Sequence, residues 1–225
     1  MLFDYQGFGH LFVGATAITV AVWSASLVTG AMIGLAGAAG KLWGGRAWRW
    51  ATAAYTTTVR GVPDLLVIFV VYFGGTVTLS TLFGRYVEVH PFVAGVVALA
   101  AVSGAYQTEI FRGAILGVPR GQIDAACAIG LRPVQVFAYV VMPQAWRLAL
   151  PAWGNQAIAL LKQTSLISVV GLEEIMRRAG IASGATSEPF RFYVLAAMIY
   201  FAMSVLLTAA FARAERMAGR GHAAA

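Results

Sequence analysis

The chain has 225 residues, of which 60% are hydrophobic and only 11% are charged, and its formal net charge is +7. Soluble domains are about half apolar and about a quarter charged, so this composition excludes an ordinary soluble core and favours membrane-spanning helices. The first uncharged run, from Gln6 to Gly40, is longer than the apolar region of a signal peptide and follows no basic segment. We therefore expect this run to be retained as a first span.

Five segments of the sequence are long and apolar enough to cross a bilayer, which requires about 20 residues. In chain order they cover residues 11–37, 55–83, 91–111, 148–170 and 192–212. The fourth is the least regular, because Pro151, Gly154 and Lys162 interrupt it. The first contains Gly30 and Gly34, a GxxxG spacing that permits close helix contact and leaves a dimer role open. The sequence thus predicts an all-α integral membrane protein with one domain over residues 1–225 and a core at 11–212.

The basic residues indicate how the five spans are oriented. Alternate connecting segments lie on the same face of the membrane, and one set of segments holds 11 basic residues: Lys41, Arg46, Arg49, Arg60, Arg112, Arg120, Arg132, Arg147, Arg213, Arg216 and Arg220. The other set holds five: Arg85, Lys162, Arg177, Arg178 and Arg191. Because basic residues are enriched on cytoplasmic loops, the first set is predicted to be cytoplasmic. The N-terminus is then periplasmic and the C-terminus cytoplasmic, whereas four spans would spoil this separation.

Residues 112–147 form the longest predicted cytoplasmic loop, and their pattern indicates two short helices. Pro119 can open the first helix, Gly130 can supply the left-handed residue that ends it, and Pro133 can open the second. Pro143 is expected to stop that second helix. The loop holds more apolar residues than a solvated segment needs, and an exposed apolar surface normally marks a protein contact.

Two alanines are central to this loop. Ala125 and Ala126 are expected to leave its surface flat, so that the backbone of a partner can approach closely. Asp124, just before them, fits two roles. It can pair with a basic residue of a partner, or it can simply be an acid in the N-terminal half of a helix, where the helix dipole favours it.

The spacing within the loop resembles the EAA loop of ABC importer permeases, whose pattern is Glu-Ala-Ala, Gly, then Ile-x-Leu-Pro. The corresponding residues here are Asp124, Ala125, Ala126, Gly130, Val140, Met142 and Pro143. The chain departs from the pattern by Asp for Glu, Val for Ile and Met for Leu, and each change keeps charge or apolar character. The likeness extends to residues 60–74, 106–126, 142–175 and 188–200, which are similar to the polar-amino-acid branch, above all to permeases for histidine, arginine, lysine and opines.

This resemblance implies a type I ABC importer permease fold in the bacterial inner membrane, with five transmembrane helices and a cytoplasmic two-helix coupling loop. It implies that Asp124, Ala125, Ala126, Gly130 and Pro143 belong to a loop that docks on a cytoplasmic ABC ATPase dimer. ATP and Mg would be bound by that partner, and this chain would hold no cofactor. The other implied partners are a second permease subunit, similar or identical, and a periplasmic substrate-binding protein.

The same loop also fits a DNA-binding helix–turn–helix, because Ala126, Gly130 and Val136 match that spacing. A DNA-reading helix carries basic and amide side chains, and the second helix here offers only Gln135. Both ends of the loop are tethered to spans. We therefore expect the lipid bilayer, and not a nucleic acid, to be the surroundings of this chain.

No catalytic or metal-binding set is apparent in the sequence. Gly40 and Lys41 are a near miss for a Walker A motif, since Leu35 and Leu42 occupy its required Gly and Ser/Thr positions. The three histidines lie in different segments, and the single cysteine, Cys127, is expected to be a small buried apolar residue. We predict that the chain has no metal site and is not an enzyme, so that ATP is hydrolysed by a separate subunit.

Charged residues in or near the spans are candidates for the substrate path, because an ionisable group is costly in the bilayer unless it faces protein or water. Arg60 and Asp64 flank Pro63, a pattern that fits either a helix start or a gate. Glu109 and Arg112 are three residues apart and fit a local ion pair, while Glu109 is also a candidate for attracting a cationic substrate.

Lys162 lies in an otherwise uncharged segment of 25 residues, 148–172. It can reach the outer interface or pair with an acid across the bundle, or it can face the substrate route beside Gln163. The run EEIMRR, 173–178, is predicted to be an interfacial helix outside the membrane rather than a ligand site. The candidate residues of the substrate path or gate are Asp64, Glu109, Lys162, Thr164 and Ser165.

The sequence therefore predicts the permease subunit of an ATP-driven importer, which works by alternating access and translocates a cationic amino acid or an arginine-derived opine. One alternative is a general polar amino acid importer. Another, from a different class, is a membrane scaffold or receptor subunit that binds a cytoplasmic partner without transport. A requirement for ATP hydrolysis in substrate flux separates the importers from the scaffold.

Overall fold

A computed structural model describes residues 9–219, and this part of the chain is a bundle of helices without strands. The helices are α1 (Gly9–Trp43), α2 (Arg46–Gly61), α3 (Asp64–Phe69), α4 (Gly75–Phe83), α5 (Pro91–Leu116), α6 (Arg120–Ala128), α7 (Pro133–Val136), α8 (Met142–Gln163), α9 (Ile175–Thr186) and α10 (Pro189–Gly219). Two π-helical segments, Val70–Gly74 and Phe137–Val141, and a 3₁₀ segment, Thr164–Val170, join some of them. The N-terminus, Arg220 and His222 lie outside the described residues.

Four helices in residues 9–219 are long and apolar enough to cross a membrane: Gly9–Trp43, Asp64–Phe83, Pro91–Leu116 and Pro189–Gly219. They overlap the first, second, third and fifth predicted spans. The predicted fourth span, 148–170, corresponds to most of α8 and the 3₁₀ segment that follows it. An all-helical fold with four candidate membrane spans is therefore confirmed for residues 9–219, and the count of five spans stays a prediction.

The second predicted span, 55–83, contains two helices and not one. α2 ends at Gly61, the backbone of Val62 and Pro63 is extended, and Asp64 begins α3. A proline interrupts a helix because it lacks an N–H and clashes with the preceding turn, whereas it fits well just before a helix starts. The interpretation of Pro63 and Asp64 as a helix start is confirmed, and the break it causes divides the predicted span.

The predicted stop at Pro143 is wrong. α7, the π-helical segment Phe137–Val141 and α8 follow one another without a break, so one helix runs over residues 133–163. Pro143 lies in the first turn of α8, and the extra residue of a π-helical turn lies directly before it. A π-helical turn shifts the hydrogen-bond register of a helix, which lets the proline fit without ending the helix.

The central contact of the bundle joins α1 to α5 through glycines. A Cβ atom added at Gly30 would lie 2.9 Å from Nε2 of Gln107, and one added at Gly34 would lie 2.7 Å from Cβ of the same residue. Gln107 is fully buried, and its Oε1 accepts a hydrogen bond of 2.8 Å from Nε1 of Trp153 on α8. The GxxxG pair thus packs two helices of the same chain, the close approach that small residues permit.

α8 lies against both α1 and α10. Nε1 of Trp23 on α1 donates a hydrogen bond of 2.8 Å to the carbonyl oxygen of Ala157, and Phe211 on α10 packs edge-on against Trp153 with ring centroids 5.7 Å apart. Gly154 leaves room for Phe211, because a Cβ there would lie 2.9 Å from its ring. α1, α5 and α8 therefore form the interior, while Asp64–Phe83 and Pro189–Gly219 are largely exposed.

Candidate translocation site and coupling loop

The break between α2 and α3 brings a carboxylate to the end of another helix. Oδ2 of Asp64, the first residue of α3, accepts a hydrogen bond of 2.7 Å from Nε2 of Gln163, the last residue of α8. Asp64 is half-buried. Two interrupted helices therefore meet at a polar contact, and interrupted helices are the usual source of polar groups inside a transport protein.

This junction lies within the depth of the spans. The hydroxyl of Tyr55, on α2, donates a hydrogen bond of 2.5 Å to the carbonyl oxygen of Ala101. Ala101 is ten residues into α5, or about 15 Å from its start at 1.5 Å per residue. α2 thus packs along the middle of α5, and the chain turns into α3 from there. Ile68, one turn after Asp64, is fully buried in the same apolar cluster as Leu99 of α5.

The end of α8 and the 3₁₀ segment place two more predicted residues beside one cavity. Lys162 is exposed, and together with Ser165 it lines a cavity of about 340 Å³ that Tyr193 and Tyr200 of α10 also line. The hydroxyl of Ser165 donates to the carbonyl oxygen of Lys162 at 2.8 Å. The predicted residue Thr164 is buried, and its hydroxyl donates to the carbonyl oxygen of Leu161 at 2.6 Å. Successive helical residues point about 100° apart, so Lys162 and Gln163 face different sides of α8.

Glu109 belongs to a different cluster. Its Oε1 accepts a hydrogen bond from Nζ of Lys41 on α1, and its Oε2 accepts one of 3.0 Å from Nε of Arg112. Lys41 also donates to the hydroxyl of Thr56 on α2 at 2.6 Å. The pairing with Arg112 follows the predicted spacing, whereas no spacing in the sequence indicated the contact with Lys41. These contacts support a structural ion pair that joins α1, α2 and α5.

Sequence reasoning missed Gln156 on α8, and it named Gln163 only as a neighbour of Lys162 on the substrate route. Nε2 of Gln156 and Oε1 of Gln163 are buried and have no hydrogen-bond partner within residues 9–219. The two residues are seven apart, so they lie on the same face of the helix. That spacing in the sequence was the available signal. Gln163 contributes to the site because its amide bonds Asp64 through nitrogen and still presents an oxygen.

The loop between α5 and α8 has the turn that its glycine predicted. Gly130 has φ +84°, the left-handed region, and its N–H donates to the carbonyl oxygen of Cys127 at 3.0 Å. The N–H of Leu131 donates to the carbonyl oxygen of Ala126 at 3.2 Å, which completes a glycine-terminated helix end. Pro133 begins α7. The predicted helix starts and the predicted left-handed cap are therefore confirmed.

The two alanines of the loop face opposite directions. Ala126 is buried against a cluster that includes Val118, Val136 and Val141, so the expectation that it forms the loop surface is wrong. Its small side chain lets α6 pack closely on the rest of the loop. Ala125 and Asp124 are exposed, as their surface role requires.

Large apolar side chains are exposed on the surface of the loop. Ile129, Val134 and Tyr139 are 78%, 77% and 72% exposed. Cys127, expected to be buried, is also exposed, because it lies on the outer side of α6 next to the buried Ala126. An exposed apolar patch of this kind marks a protein contact.

Comparison with known proteins identifies the class of this chain. Residues 27–216 match the family described as "Binding-protein-dependent transport system inner membrane component". The chain belongs to this family of inner-membrane permease subunits. In such transport systems ATP is hydrolysed by a separate ATPase subunit.

Individual relatives of this chain belong to transport systems for opines and for amino acids. The chain is 42% identical over 226 residues to the octopine transport system permease protein OccQ of Agrobacterium tumefaciens, covering 98% of this chain and 95% of the relative. It is 45% identical over 223 residues to the nopaline transport system permease protein NocQ of Agrobacterium fabrum, with coverage of 96% and 94%. It is 36% identical over 204 residues to the histidine/lysine/arginine/ornithine permease protein HisQ of Escherichia coli, with coverage of 89% and 90%.

Solved structures support the same class. The chain resembles an amino acid ABC transporter whose crystal structure contains histidines, with a TM-score of 0.85 and 31% identity over 94% of this chain and 96% of that one. It also resembles the MetNI methionine ABC transporter in an inward-facing conformation, with a TM-score of 0.74 and 20% identity over 92% and 96%. The second likeness shows the fold alone.

Proposed function

We propose that the chain is the permease subunit of an ATP-driven importer for a cationic amino acid or an arginine-derived opine. The observation that carries the substrate class is the similarity, over nearly the whole chain, to permeases for octopine, nopaline and histidine/lysine/arginine/ornithine. One such subunit cannot easily enclose a pathway, so it works with a second permease subunit. A substrate-binding protein delivers the substrate from outside, and a cytoplasmic ATPase dimer that binds ATP and Mg drives transport.

The proposed topology has five spans in one domain, with the N-terminus periplasmic and the C-terminus cytoplasmic. α8 is the span that composition reveals least, because Pro151, Asn155 and Lys162 lower its hydropathy. Its contacts with Trp23 on α1 and with Gln107 on α5 support a crossing at the same depth as those two helices. The excess of basic residues on one set of loops supports the orientation.

Within this pathway, Asp64 and Gln163 form the proposed contact for the cationic end of the substrate. Guanidinium and ammonium groups donate several hydrogen bonds and pair best with a carboxylate that has further acceptors nearby. Oε1 of Gln163 is such an acceptor next to Asp64. Lys162 and Ser165 would contact the carboxylate of the substrate. Thr164 supports the turn between this pair and the contact of Gln163 with Asp64. Glu109 is assigned outside the path, because Lys41 and Arg112 occupy its oxygens.

The loop is the proposed contact for the ATPase. Asp124 and Ala125 offer an exposed flat surface, while Ala126 and Gly130 fix the shape of the loop beneath it. The helix over residues 133–163 then carries any movement of the loop to Gln163, because it continues unbroken through Pro143. Its length is about 45 Å at 1.5 Å per residue. A rigid element of this length transmits a displacement that a flexible loop would absorb.

The proposal is tested by ATP-dependent uptake of labelled arginine in proteoliposomes that hold this chain, its partner permease and the ATPase, with the substrate-binding protein present. Ala125→Arg adds a long charged side chain to the exposed docking surface and leaves the buried loop core intact. We expect it to abolish uptake and association with the ATPase while the permease remains folded. Ala185→Arg, on an exposed position of α9, is the matched control for ATPase association.

Cys127 provides a direct readout of docking, because it is the only cysteine of the chain and is exposed on α6. Maleimide labelling of Cys127 should slow when the ATPase is added, and Ala125→Arg should cancel this protection. ATPase binding without any ATP-dependent uptake of amino acids or opines would instead favour a scaffold. Uptake that is indifferent to Ala125→Arg would contradict the coupling role.

A further inference from the structure

The most deeply buried acid among the described residues takes no part in the functions assigned so far. Glu174 is 1% exposed, although its neighbour Glu173 is exposed on the surface. Its Oε2 accepts a hydrogen bond of 2.6 Å from the hydroxyl of Tyr200 on α10. Its Oε1 accepts one of 2.8 Å from the backbone N–H of Arg177, in the first turn of α9. Part of the run 173–178 begins α9, which starts at Ile175, but Glu174 is inside the bundle and not at its surface. The interfacial location of this helix stays a prediction.

Glu174 joins four elements of the bundle. It caps α9, it bonds α10 through Tyr200, and it lies beside Thr19 of α1, whose hydroxyl accepts a hydrogen bond of 3.4 Å from the N–H of Ile175. The hydroxyl of Tyr200 is also 3.4 Å from that of Thr164 in the 3₁₀ segment. Within residues 9–219, no ion pair includes Glu174. A buried carboxyl group without a cation is costly unless several donors bond it, so this arrangement tolerates little displacement.

Tyr200 connects this cluster to the cavity that was described beside α8. Its ring lines the cavity that also contains Lys162 and Ser165, while its hydroxyl points to Glu174. A tyrosine ring that is free to rotate would change both the width of this cavity and the distance from its wall to Lys162. The hydrogen bond to Glu174 removes that freedom and thereby fixes one wall of the cavity.

We propose that Glu174 is a positioning residue for substrate: it holds Tyr200 in place as part of the wall of the cavity that Lys162 also lines. This inference rests on the proposed function, in which that cavity receives the carboxylate end of the transported amino acid. Glu174 touches no substrate itself. Glu174 affects the affinity of the cavity for substrate. It also links the cavity wall to α9, which lies between the last two predicted spans.

The test measures equilibrium binding of labelled arginine to the purified permease–ATPase complex, alongside uptake and basal ATP hydrolysis. Tyr200→Phe removes one hydroxyl, and Glu174→Gln replaces one accepting oxygen by an NH₂ group. Each variant should weaken arginine binding about fivefold, as expected for one buried hydrogen bond. The double variant should weaken it no further, because both changes break the same bond. Basal ATP hydrolysis is compared between the natural chain and Glu173→Gln, an exposed position outside the cavity, where it should stay unchanged.

Two controls separate positioning from simple stabilisation. Glu173→Gln changes the exposed neighbour that pairs with Arg178, and Thr208→Ala removes a hydroxyl two turns further along α10 that bonds only its own helix. Both should bind arginine normally. Variants of Glu174 and Tyr200 that lower the melting temperature but bind arginine normally would overturn the inference.

Lys162→Gln distinguishes this inference from the proposed function on which it rests. Impaired binding in Lys162→Gln beside normal binding in Glu174→Gln overturns the positioning role alone and leaves the path assignment standing. Normal binding in Lys162→Gln removes the cavity from the path, and the inference is overturned with it. Tyr200→Phe and Glu174→Gln effects that add in full would also contradict a shared hydrogen bond.

Discussion

Gln163 and Asp64 are 99 residues apart in the chain, yet Nε2 of Gln163 donates a hydrogen bond of 2.7 Å to Oδ2 of Asp64. Each residue stands at a helix terminus, one at the end of α8 and the other at the start of α3. α8 also continues directly from α7 in the loop that follows α5. This single contact therefore links the element proposed to meet the ATPase with the carboxylate proposed to meet the substrate.

The Glu109 cluster should act on stability and not on substrate affinity. Glu109→Gln leaves the ammonium of Lys41, which is 15% exposed, without its carboxylate. Loss of a partly buried charge partner costs about 1–3 kcal/mol, which lowers the melting temperature of a chain of this size by several degrees. Thermal unfolding in detergent measures this. Glu173→Gln is the control, since its exposed ion pair with Arg178 contributes little. Weaker arginine binding at an unchanged melting temperature would place Glu109 on the path after all.

Gly130 should not tolerate a side chain, even though nothing lies within 4 Å of the added Cβ. Its φ of +84° is left-handed, where an L-residue with a Cβ is strained by about 1–2 kcal/mol. Gly130→Ala should therefore lower stability and reduce ATPase-coupled uptake. Gly121→Ala, in the exposed first turn of α6, is the matched control and should not lower stability, because nothing lies within 4 Å of the added Cβ and its φ is not left-handed. Equal behaviour of the two variants in thermal unfolding would contradict the role given to the turn.

Gly34 should not tolerate a side chain either, but for a different reason. A Cβ at Gly34 would lie 2.7 Å from Cβ and 3.0 Å from the backbone carbon of Gln107, and neither atom can move away easily. Gly34→Ala should separate α1 from α5 at a cost of about 1–3 kcal/mol, the usual range for overpacking. Gly14→Ala, in an open part of the same helix, should be harmless. Melting temperature and subunit assembly should be followed together. A variant that dissociates permease pairs at unchanged chain stability would favour a dimer role for this glycine pair.

The buried carboxyl group of Glu174 should make the stability of the folded chain depend on pH. Its burial raises the pKa of the carboxyl group, although hydrogen bonds from Tyr200 and from the N–H groups of Met176 and Arg177 oppose the rise. The folded state therefore favours the protonated acid. This contribution to stability is fully present below the ordinary glutamate pKa of 4.5 and is lost as the pH rises through the raised pKa.

The measurement is the melting temperature of the natural chain and of Glu174→Gln across this pH range. The natural chain should lose stability relative to the variant as the pH rises above about 4.5, because the glutamine cannot ionise. Glu173→Gln should follow the natural chain. A difference that stays constant with pH, or that grows in favour of the natural chain, would show that the carboxyl group is better accommodated in its charged form.

Local features of the fold could be predicted from sequence because they depend on neighbouring residues. Gly130, Pro133 and Pro63 act through their own backbone geometry, so their turns and helix starts were predictable. Pro143 was not, because the π-helical segment that accommodates it depends on how the whole helix packs. The ion pair of Glu109 with Arg112 follows from a spacing of three residues.

The remaining site contacts are long-range. The partners of Glu109 and Asp64 on other helices, Lys41 and Gln163, are 68 and 99 residues away along the chain. Periodicity gives the face of each helix but not the neighbour that it meets. Glu174 shows the same limit: a glutamate in a charged run is normally solvated, but the packing of α9 against α1 and α10 buries it.

If this permease carries a cationic substrate past Asp64, the natural chain and Asp64→Asn should differ in arginine binding in the reconstituted complex. Asparagine keeps the size and the acceptor for Gln163 but removes the charge, while Glu88→Gln in the loop before α5 serves as the control. Loss of one charge-assisted hydrogen bond should weaken arginine binding about 10- to 100-fold, with ATP-dependent uptake falling in parallel. Unchanged binding and uptake in Asp64→Asn would contradict the account.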